Sequence, residues 1–127
     1  MSGERRALVV DDDAGIRVLV ARILTRNGFL VESARDGAEA IEKVLLHDYK
    51  VITLDLMMPR IDGFAVLKYI AEHRPELLPN VIVVTAFGPN VIEKICPPVV
   101  RVVEKPFDLN ALLAEATAVA DHEPPDA

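Results

Sequence analysis

The chain has 127 residues, enough for one domain of ordinary size and too few for two. Its hydrophobic content of 51% supports a sizeable core, and with 5% aromatic residues and no Trp that core is expected to be aliphatic. The net charge of −6 disfavours direct binding to nucleic acid or to an anionic membrane. A single cysteine, Cys96, excludes an intrachain disulfide and a zinc site built on several cysteines.

Strand-like and helix-like patterns alternate along the whole chain. Between the strands, apolar residues recur at helical spacing, and Asp or Gly residues stand where helices begin and end. The segments expected to form strands are Ala7–Asp11, Phe29–Ala34, Lys50–Asp55, Asn80–Thr85 and Val99–Glu104. The runs Ala7–Val10 and Val51–Leu54 are short and β-branched, which is typical of strands buried on both faces.

The helices are predicted from their apolar faces and their caps. The first carries Ile16, Leu19, Val20, Ile23 and Leu24 and ends at Asn27-Gly28; the second opens at Asp36-Gly37 with Ile41, Val44 and Leu45 on its inner face. Asp62 is expected to cap the third helix, and Pro75 and Pro79 bracket the exit of that helix. Asp108 is expected to cap the last helix. A short helix is expected from about Asn90 to Ile95, since Pro97-Pro98 cannot continue it.

Five β–α units predict an α/β fold with a parallel sheet and helices on both faces. Right-handed crossovers favour a flavodoxin-like, doubly wound sheet of five strands in the order 2-1-3-4-5. The expected domain spans residues 6–120, with an N-terminal extension at 1–5 and a flexible tail at 121–127. The N-terminus lacks the apolar core of a signal peptide, and no apolar stretch approaches the ~20 residues of a membrane span, so a cytoplasmic location is expected.

Aspartates follow the first and third predicted strands, as Asp11-Asp12-Asp13 and as Asp55. In the predicted order these strands are neighbours, so their carboxyl ends meet at the topological switch point, where such sheets bind ligands. Carboxylates packed that closely repel each other and favour a bound cation. A site whose ligands are all oxygen atoms favours Mg²⁺ over Zn²⁺. Asp13 is expected to be a helix cap or a surface charge.

Five motifs in this order resemble the receiver domain of two-component response regulators, and the resemblance covers Arg6 to Val119. They are Val9-Val10-Asp11-Asp12-Asp13, Leu54-Asp55-Leu56-Met57-Met58-Pro59, Asp62-Gly63, Val84-Thr85-Ala86 and Glu104-Lys105-Pro106-Phe107. The resemblance implies that Asp55 is the phosphoacceptor. It also implies that Mg²⁺, with Mn²⁺ or Ca²⁺ as substitutes, is bound directly by Asp12, Asp55 and the backbone carbonyl of Met57, while Asp11 helps to hold the ion through water. Thr85, Ala86 and Lys105 then surround the phosphoryl group, and the Lys105–Pro106 peptide bond is cis.

The same resemblance implies a role in a phosphorelay. The phosphoryl group would come from a sensor histidine kinase or a phosphotransfer protein. Phosphorylation would then alter binding of the chain to a downstream protein or cause the chain to form a homodimer. Catalysis would be limited to accepting and slowly hydrolysing the chain's own phosphoryl group. Neither nucleic acid nor membrane is an expected partner of this domain.

The chain departs from the family pattern at two places. Val102 stands three residues before Lys105, where most receivers carry an aromatic switch residue, and Phe87 is a candidate local substitute. Cys96-Pro97-Pro98 replaces the usual turn before the fifth strand, so the preceding helix is expected to be stunted or distorted. In many relatives the face made of the fourth helix, the fifth strand and the fifth helix mediates dimerisation, and this chain is therefore expected to use that face differently or to use another one.

Two other functions remain open at this stage. A small Mg²⁺-dependent phosphatase or phosphotransferase of the haloacid-dehalogenase type would use Asp11 as nucleophile, with Asp13 two residues on; the short chain lacks a cap domain to enclose a substrate. A flavodoxin-like cofactor binder ranks last, because the first loop has no Gly/Ser/Thr run and its acidity would repel a phosphate.

Overall fold

A computed structural model describes residues 5–86, 101–105 and 108–121 of the chain. Five parallel strands form one sheet in the order β2-β1-β3-β4-β5. The predicted fold class and strand order are therefore confirmed. The strands are β1 (Arg5–Val10), β2 (Phe29–Ala34), β3 (Val51–Asp55), β4 (Val81–Thr85) and β5 (Arg101–Glu104).

Four helices lie within the described residues: α1 (Ala14–Arg26), α2 (Gly37–Leu46), α3 (Gly63–His73) and α4 (Leu109–Asp121). Three of them begin at an aspartate whose side chain accepts a backbone N–H in the first turn, namely Asp13, Asp36 and Asp62. Asp108 similarly accepts from the N–H of Asn110 before α4. After α1, Gly28 adopts a φ of +93°, the left-handed conformation that glycine allows.

The helices cover both faces of the sheet and divide the core into two layers. On one face, α2 and α3 pack against strand residues that include Leu8, Val10, Ile52 and Leu54. On the other face, α1 and α4 pack against alternate residues that include Ala7, Val9, Ile82 and Val84. Strand side chains are thus buried on both sides in β3, β4 and most of β1, as their β-branched runs predicted. The edge strands β2 and β5 carry exposed residues, including Leu30 and Val102.

The structure corrects several details of these predictions. β1 begins at Arg5, a residue expected in the N-terminal extension, and ends before Asp11. Leu19, one of the apolar residues at helical spacing in the first helix, and Leu45, predicted on the inner face of the second, are 51% and 52% exposed. A helix buries only a stripe about 100° wide, and Val20 and Val44, one position away, already occupy it.

The structure contains one further element that the sequence did not predict, and it does not describe every residue for which a prediction was made. A 3₁₀ segment, Pro75–Asn80, follows α3 where the sequence suggested only a boundary. Several predicted features lie outside the described residues. They are the helix from Asn90 to Ile95, its end at Pro97-Pro98, the candidate substitute Phe87, the Lys105–Pro106 bond and the tail from 122 onward.

Candidate functional site

Three carboxylates meet at the carboxyl ends of β1 and β3. Because Val10 pairs with Leu54, the residues that follow them leave the sheet at the same level. Asp11, Asp12 and Asp55 each offer a carboxylate oxygen, and these oxygens lie within 4.8 Å of one another. We call these three residues the aspartate cluster. Asp11 and Asp55 are 4% and 3% exposed, whereas Asp12 is exposed to solvent.

The acidic loop, residues 11–13, is held mainly through its backbone. The N–H of Asp11 donates to the carbonyl of Ala34 at 3.2 Å, which anchors the loop to β2. The Asp11 carboxylate accepts the N–H of Asp13 at 2.9 Å. The Asp13 carboxylate accepts the N–H of Ile16 at 3.1 Å, so Asp13 caps α1 and is not a member of the aspartate cluster. Its predicted role as a cap is confirmed.

Asp55 is fixed by the turn that follows it. Its Oδ1 atom accepts the N–H of Met57 at 3.0 Å, and the N–H of Gly63 donates to the carbonyl of Leu56 at 3.2 Å. A Cβ atom on Gly63 would lie 2.3 Å from the carbonyl oxygen of Asp55. Only glycine permits so close an approach of the two backbones, so Gly63 sets the position of the residue that carries the buried carboxylate.

The far end of the same turn packs against the start of α2. A Cβ atom on Gly37 would lie 2.2 Å from the carbonyl oxygen of Ile61, again too close for any side chain. Arg60, just before Ile61, has a φ of 64°, which is unusual for a residue other than glycine. The β3–α3 turn is therefore tightly packed at both ends.

Thr85 and Lys105 complete the carboxyl edge on β4 and after β5. The Lys105 Nζ atom lies 3.5 Å from Oδ1 of Asp55, and the Lys105 N–H donates to the carbonyl of Thr85 at 2.7 Å. Thr85 is fully buried, and the following Ala86 is exposed. The strand order therefore brings Asp55, Thr85 and Lys105 to three successive positions along this edge.

Electrostatics at this edge disfavour charge on the buried carboxylates. Burial raises the pKa of Asp55 to about 6, and the neighbouring Asp11 carboxylate adds to the rise, while the Met57 N–H and Lys105 oppose it. Burial also raises the pKa of Asp11, against the stabilising effects of the Asp13 N–H and Lys105. A bound cation would relieve both penalties.

The donor set suits a hard divalent cation. Mg²⁺ favours oxygen ligands and keeps several waters, so a few carboxylates with one exposed member match its preference. Within the described residues, every side chain of the candidate metal cluster is an aspartate, with no sulfur or nitrogen ligand. Three carboxylates beside one lysine leave a net negative charge for the ion to neutralise.

Arg17 adds a contact to the predicted set of site residues, and Val102 is a member of that set. The Arg17 side chain donates from Nη1 to the backbone carbonyl of Asp11 at 2.7 Å, a contact that no motif indicated. Val102, predicted from sequence to stand at an atypical switch position, pairs with Val83 on β4 and is 40% exposed.

The chain belongs to the response regulator receiver domain family, whose model matches residues 7–117. It is 36% identical over 124 residues to response regulator MprA of Mycobacterium sp. (strain KMS), which covers 95% of this chain and 53% of MprA. It is 35% identical over 111 residues to chemotaxis protein CheY of Bacillus subtilis, covering 85% and 91% of the two chains. The solved structure of response regulator protein TrrA from Thermotoga maritima in complex with Mg(2+)-BeF is 27% identical, with a TM-score of 0.78 and coverage of 91% and 98%.

Membership of this family assigns the chain to two-component signalling. Receiver domains bind Mg²⁺ at an acidic pocket and interact with histidine kinases and phosphotransfer proteins. The chain spans about half the length of the MprA sequences that it matches. In the part of the chain that the structure describes, no helix combines the length and the apolar character needed to cross a bilayer.

Proposed function

We propose that this domain, over residues 6–120, accepts a phosphoryl group on Asp55 in a histidine-to-aspartate phosphorelay. The observation that carries the proposal is the setting of Asp55, a buried carboxylate with two aspartates on one side and Lys105 Nζ at 3.5 Å on the other. A buried carboxylate with a lysine ammonium group on one side and carboxylates able to bind a cation on the other is suited to meet a phosphoryl group, since an ammonium group and a bound cation both screen negative charge.

The two carboxylate oxygens of Asp55 have different roles. Met57 N–H and Lys105 Nζ both approach Oδ1, so these contacts fix the rotation of the carboxylate. Oδ2 is then the oxygen that attacks phosphorus, forming an O–P bond while the bond from phosphorus to the donor nitrogen breaks. Lys105 is placed to neutralise an oxygen of the transferred group, and Thr85, with the small Ala86 beside it, contacts another.

The residues that would hold Mg²⁺ are the aspartate cluster and the backbone carbonyl of Met57. The bound ion would supply charge screening between Asp55 and the incoming phosphoryl group. The TrrA structure, with its bound Mg(2+)-BeF, supports this assignment. Mn²⁺ and Ca²⁺ are the expected substitutes because they also prefer oxygen ligands.

The output of the domain would be a change in protein binding. The donor would be a cytoplasmic sensor kinase or phosphotransfer protein, and the downstream partner would be a protein or a second copy of the chain. Phosphorylation would bias an equilibrium that already exists, through Thr85 and Lys105. Val102 cannot supply the large ring movement of an aromatic residue, so Thr85 and Lys105 would carry the switch.

The test is direct phosphorylation. The chain is incubated with Mg²⁺ and a small acyl phosphate, and its intact mass is measured. We expect one added phosphoryl group on the parent and none on Asp55→Asn. Asp13→Asn is the matched control: asparagine is also a good N-cap and Asp13 lies outside the aspartate cluster, so this variant should be phosphorylated like the parent.

The same experiment also tests the phosphatase alternative. That reaction needs Asp11 as nucleophile and Asp13 beside it, but the structure uses the Asp13 carboxylate to cap α1. Turnover that persists in Asp55→Asn and disappears in Asp11→Asn would overturn the phosphoacceptor assignment in favour of the phosphatase.

A further inference from the structure

Arg17 holds both ends of the acidic loop. Its side-chain Nη1 donates to the carbonyl of Asp11 at 2.7 Å, and its backbone N–H donates to the carbonyl of Asp13 at 2.9 Å. The side-chain contact is partly buried and spans six residues, so it is not part of the regular hydrogen bonding of α1. A charged donor to a backbone carbonyl is also stronger than a neutral one.

We infer that Arg17 is the positioning residue that orients Asp12 for metal binding. The inference rests on the proposed function, because it concerns how the proposed Mg²⁺ site is preformed. Arg17 itself does not touch the metal; it acts through the peptide that joins Asp11 to Asp12.

The first step of the argument is the rigidity of that peptide. The Asp11 carbonyl and the Asp12 nitrogen belong to one planar unit, so fixing the carbonyl direction fixes the direction in which Asp12 leaves the loop. The preceding peptide is held as well, since the Asp11 N–H donates to Ala34. Arg17 thus completes the restraint on Asp11 from the α1 side.

The second step is that Asp12 depends on this restraint more than its neighbours do. Asp11 and Asp55 are buried and each accepts a backbone N–H. Asp12 is exposed, and its side chain forms no hydrogen bond or ion pair with any other described residue. Its contribution to the cluster therefore follows from the backbone that carries it.

The third step distinguishes a positioning role of Arg17 from an effect of its positive charge alone on Mg²⁺ binding. A guanidinium group beside an acidic site weakens cation binding through Coulomb repulsion, so loss of its charge alone would tighten Mg²⁺ binding. Loss of the hydrogen bond to Asp11 would loosen the ligand geometry and weaken Mg²⁺ binding. The two roles predict changes of opposite sign.

The experiment is calorimetric titration of the full chain with Mg²⁺. Arg17→Met removes the donor and the charge but keeps the aliphatic stem, and Arg17→Lys keeps both a donor and the charge. We expect Arg17→Met to weaken binding by about tenfold, the effect typical of losing an outer-shell partner, and Arg17→Lys to stay within about threefold of the parent. The Asp13 amide should also exchange faster with solvent in metal-free Arg17→Met, a readout that does not involve activity.

Arg22→Met is the matched control. Arg22 is an exposed arginine on the same helix whose side chain pairs with no described residue, so the same change in charge should leave Mg²⁺ affinity unchanged or slightly higher. If Arg17→Met does not fold, Arg17→Gln against Arg22→Gln provides the same comparison, because glutamine is too short to restore the contact.

The outcomes distinguish this inference from the proposed function. An Arg17→Met or Arg17→Gln variant that is folded and binds Mg²⁺ as tightly as the parent, or more tightly, would overturn the positioning role while leaving the phosphoacceptor assignment intact. A parent chain that neither binds Mg²⁺ nor accepts a phosphoryl group would overturn both.

Discussion

The aspartate cluster at the carboxyl edge of the sheet and Glu32, nearer the amino edge, are carboxylate sites with opposite electrostatics. Burial raises the pKa of Asp55 to about 6, and a second buried carboxylate adds to the rise. Burial also acts to raise the pKa of Glu32, but the Tyr49 hydroxyl and nearby cations lower it overall. Glu32 accepts hydrogen bonds from Tyr49 Oη and from Arg6 Nη1, each at 2.7 Å.

The amino edge repeats this internal pairing at a second site. Arg74 donates to the carbonyl of Val44 at the end of α2 and to the carboxylates of Glu76 and Asp48. These bonds join the ends of α2 and α3 and need no external ion. A partly buried carboxylate that the fold satisfies, as at Glu32, contributes more stability than the exposed pairs of Arg74, whereas a buried carboxylate left with excess negative charge opposes folding and favours a ligand. The molecule therefore places its unbalanced charge where the proposed reaction occurs.

The largest expected effect comes from disturbing the backbone at the carboxyl edge. Gly63→Ala would place a methyl group against the Asp55 carbonyl and Leu56, atoms of the main chain that cannot move independently. We expect a loss of about 3 kcal/mol in the free energy of unfolding, measured by denaturant titration. Gly15→Ala is the control, since its added atom meets only a side-chain oxygen at 3.2 Å and it should change stability by less than about 1 kcal/mol. Equal effects of the two changes would show that the close approach at Gly63 is unimportant.

The next prediction concerns the pH dependence of the free energy of unfolding, which follows from the raised pKa of Asp55. Without metal, the folded state retains a proton on Asp55 up to about pH 6, whereas the unfolded chain loses it near pH 4. The folded state binds more protons in that window, so the free energy of unfolding should fall as pH rises from about 4 to 6. A shift of this size corresponds to roughly 2–3 kcal/mol, and Asp11, whose pKa is also raised, adds in the same direction.

Asp55→Asn and added Mg²⁺ are the two controls for this pH dependence. The variant should lose most of the decline and be more stable than the metal-free parent at pH 7. Excess Mg²⁺ should restore the parent's stability, because the ion binds the ionised, folded form. A parent and variant with parallel stability curves would show that Asp55 ionises as easily in the folded state as in the unfolded chain.

The sequence predicted the fold because its signals are local and repeated. Alternating β-branched and helical segments define the β–α units, and the direction rules for crossovers leave few strand orders. The same signals did not identify Leu19 and Leu45 as exposed, since apolar character alone does not show which of two adjacent residues faces the sheet. Pro75 and Pro79 read as boundaries, although both lie within a 3₁₀ segment.

The candidate site was predictable to the extent that its residues follow strands. Asp11, Asp12 and Asp55 meet because the predicted order makes β1 and β3 neighbours. The contact of Arg17 could not be predicted, because its acceptor is a backbone carbonyl, which every residue possesses. The pairing of Glu32 with Tyr49 joins residues 17 positions apart across two elements and also leaves no motif in the sequence.

The smallest expected effect tests the amino edge with the same chemical change, from carboxylate to amide. Glu32→Gln replaces an acceptor of two hydrogen bonds by a group whose NH₂ must face either Arg6, which is only a donor, or the buried Tyr49 hydroxyl, whose own O–H would then lose its acceptor. We expect it to lower the free energy of unfolding by about 1–2 kcal/mol at pH 7 in the presence of a chelator. Glu42→Gln, on the exposed face of α2, is the control and should stay within about 0.5 kcal/mol of the parent. Because Asp55→Asn is expected to stabilise the metal-free chain, the two substitutions should have opposite signs, and a Glu32→Gln variant at least as stable as the parent would remove the contrast between the two edges.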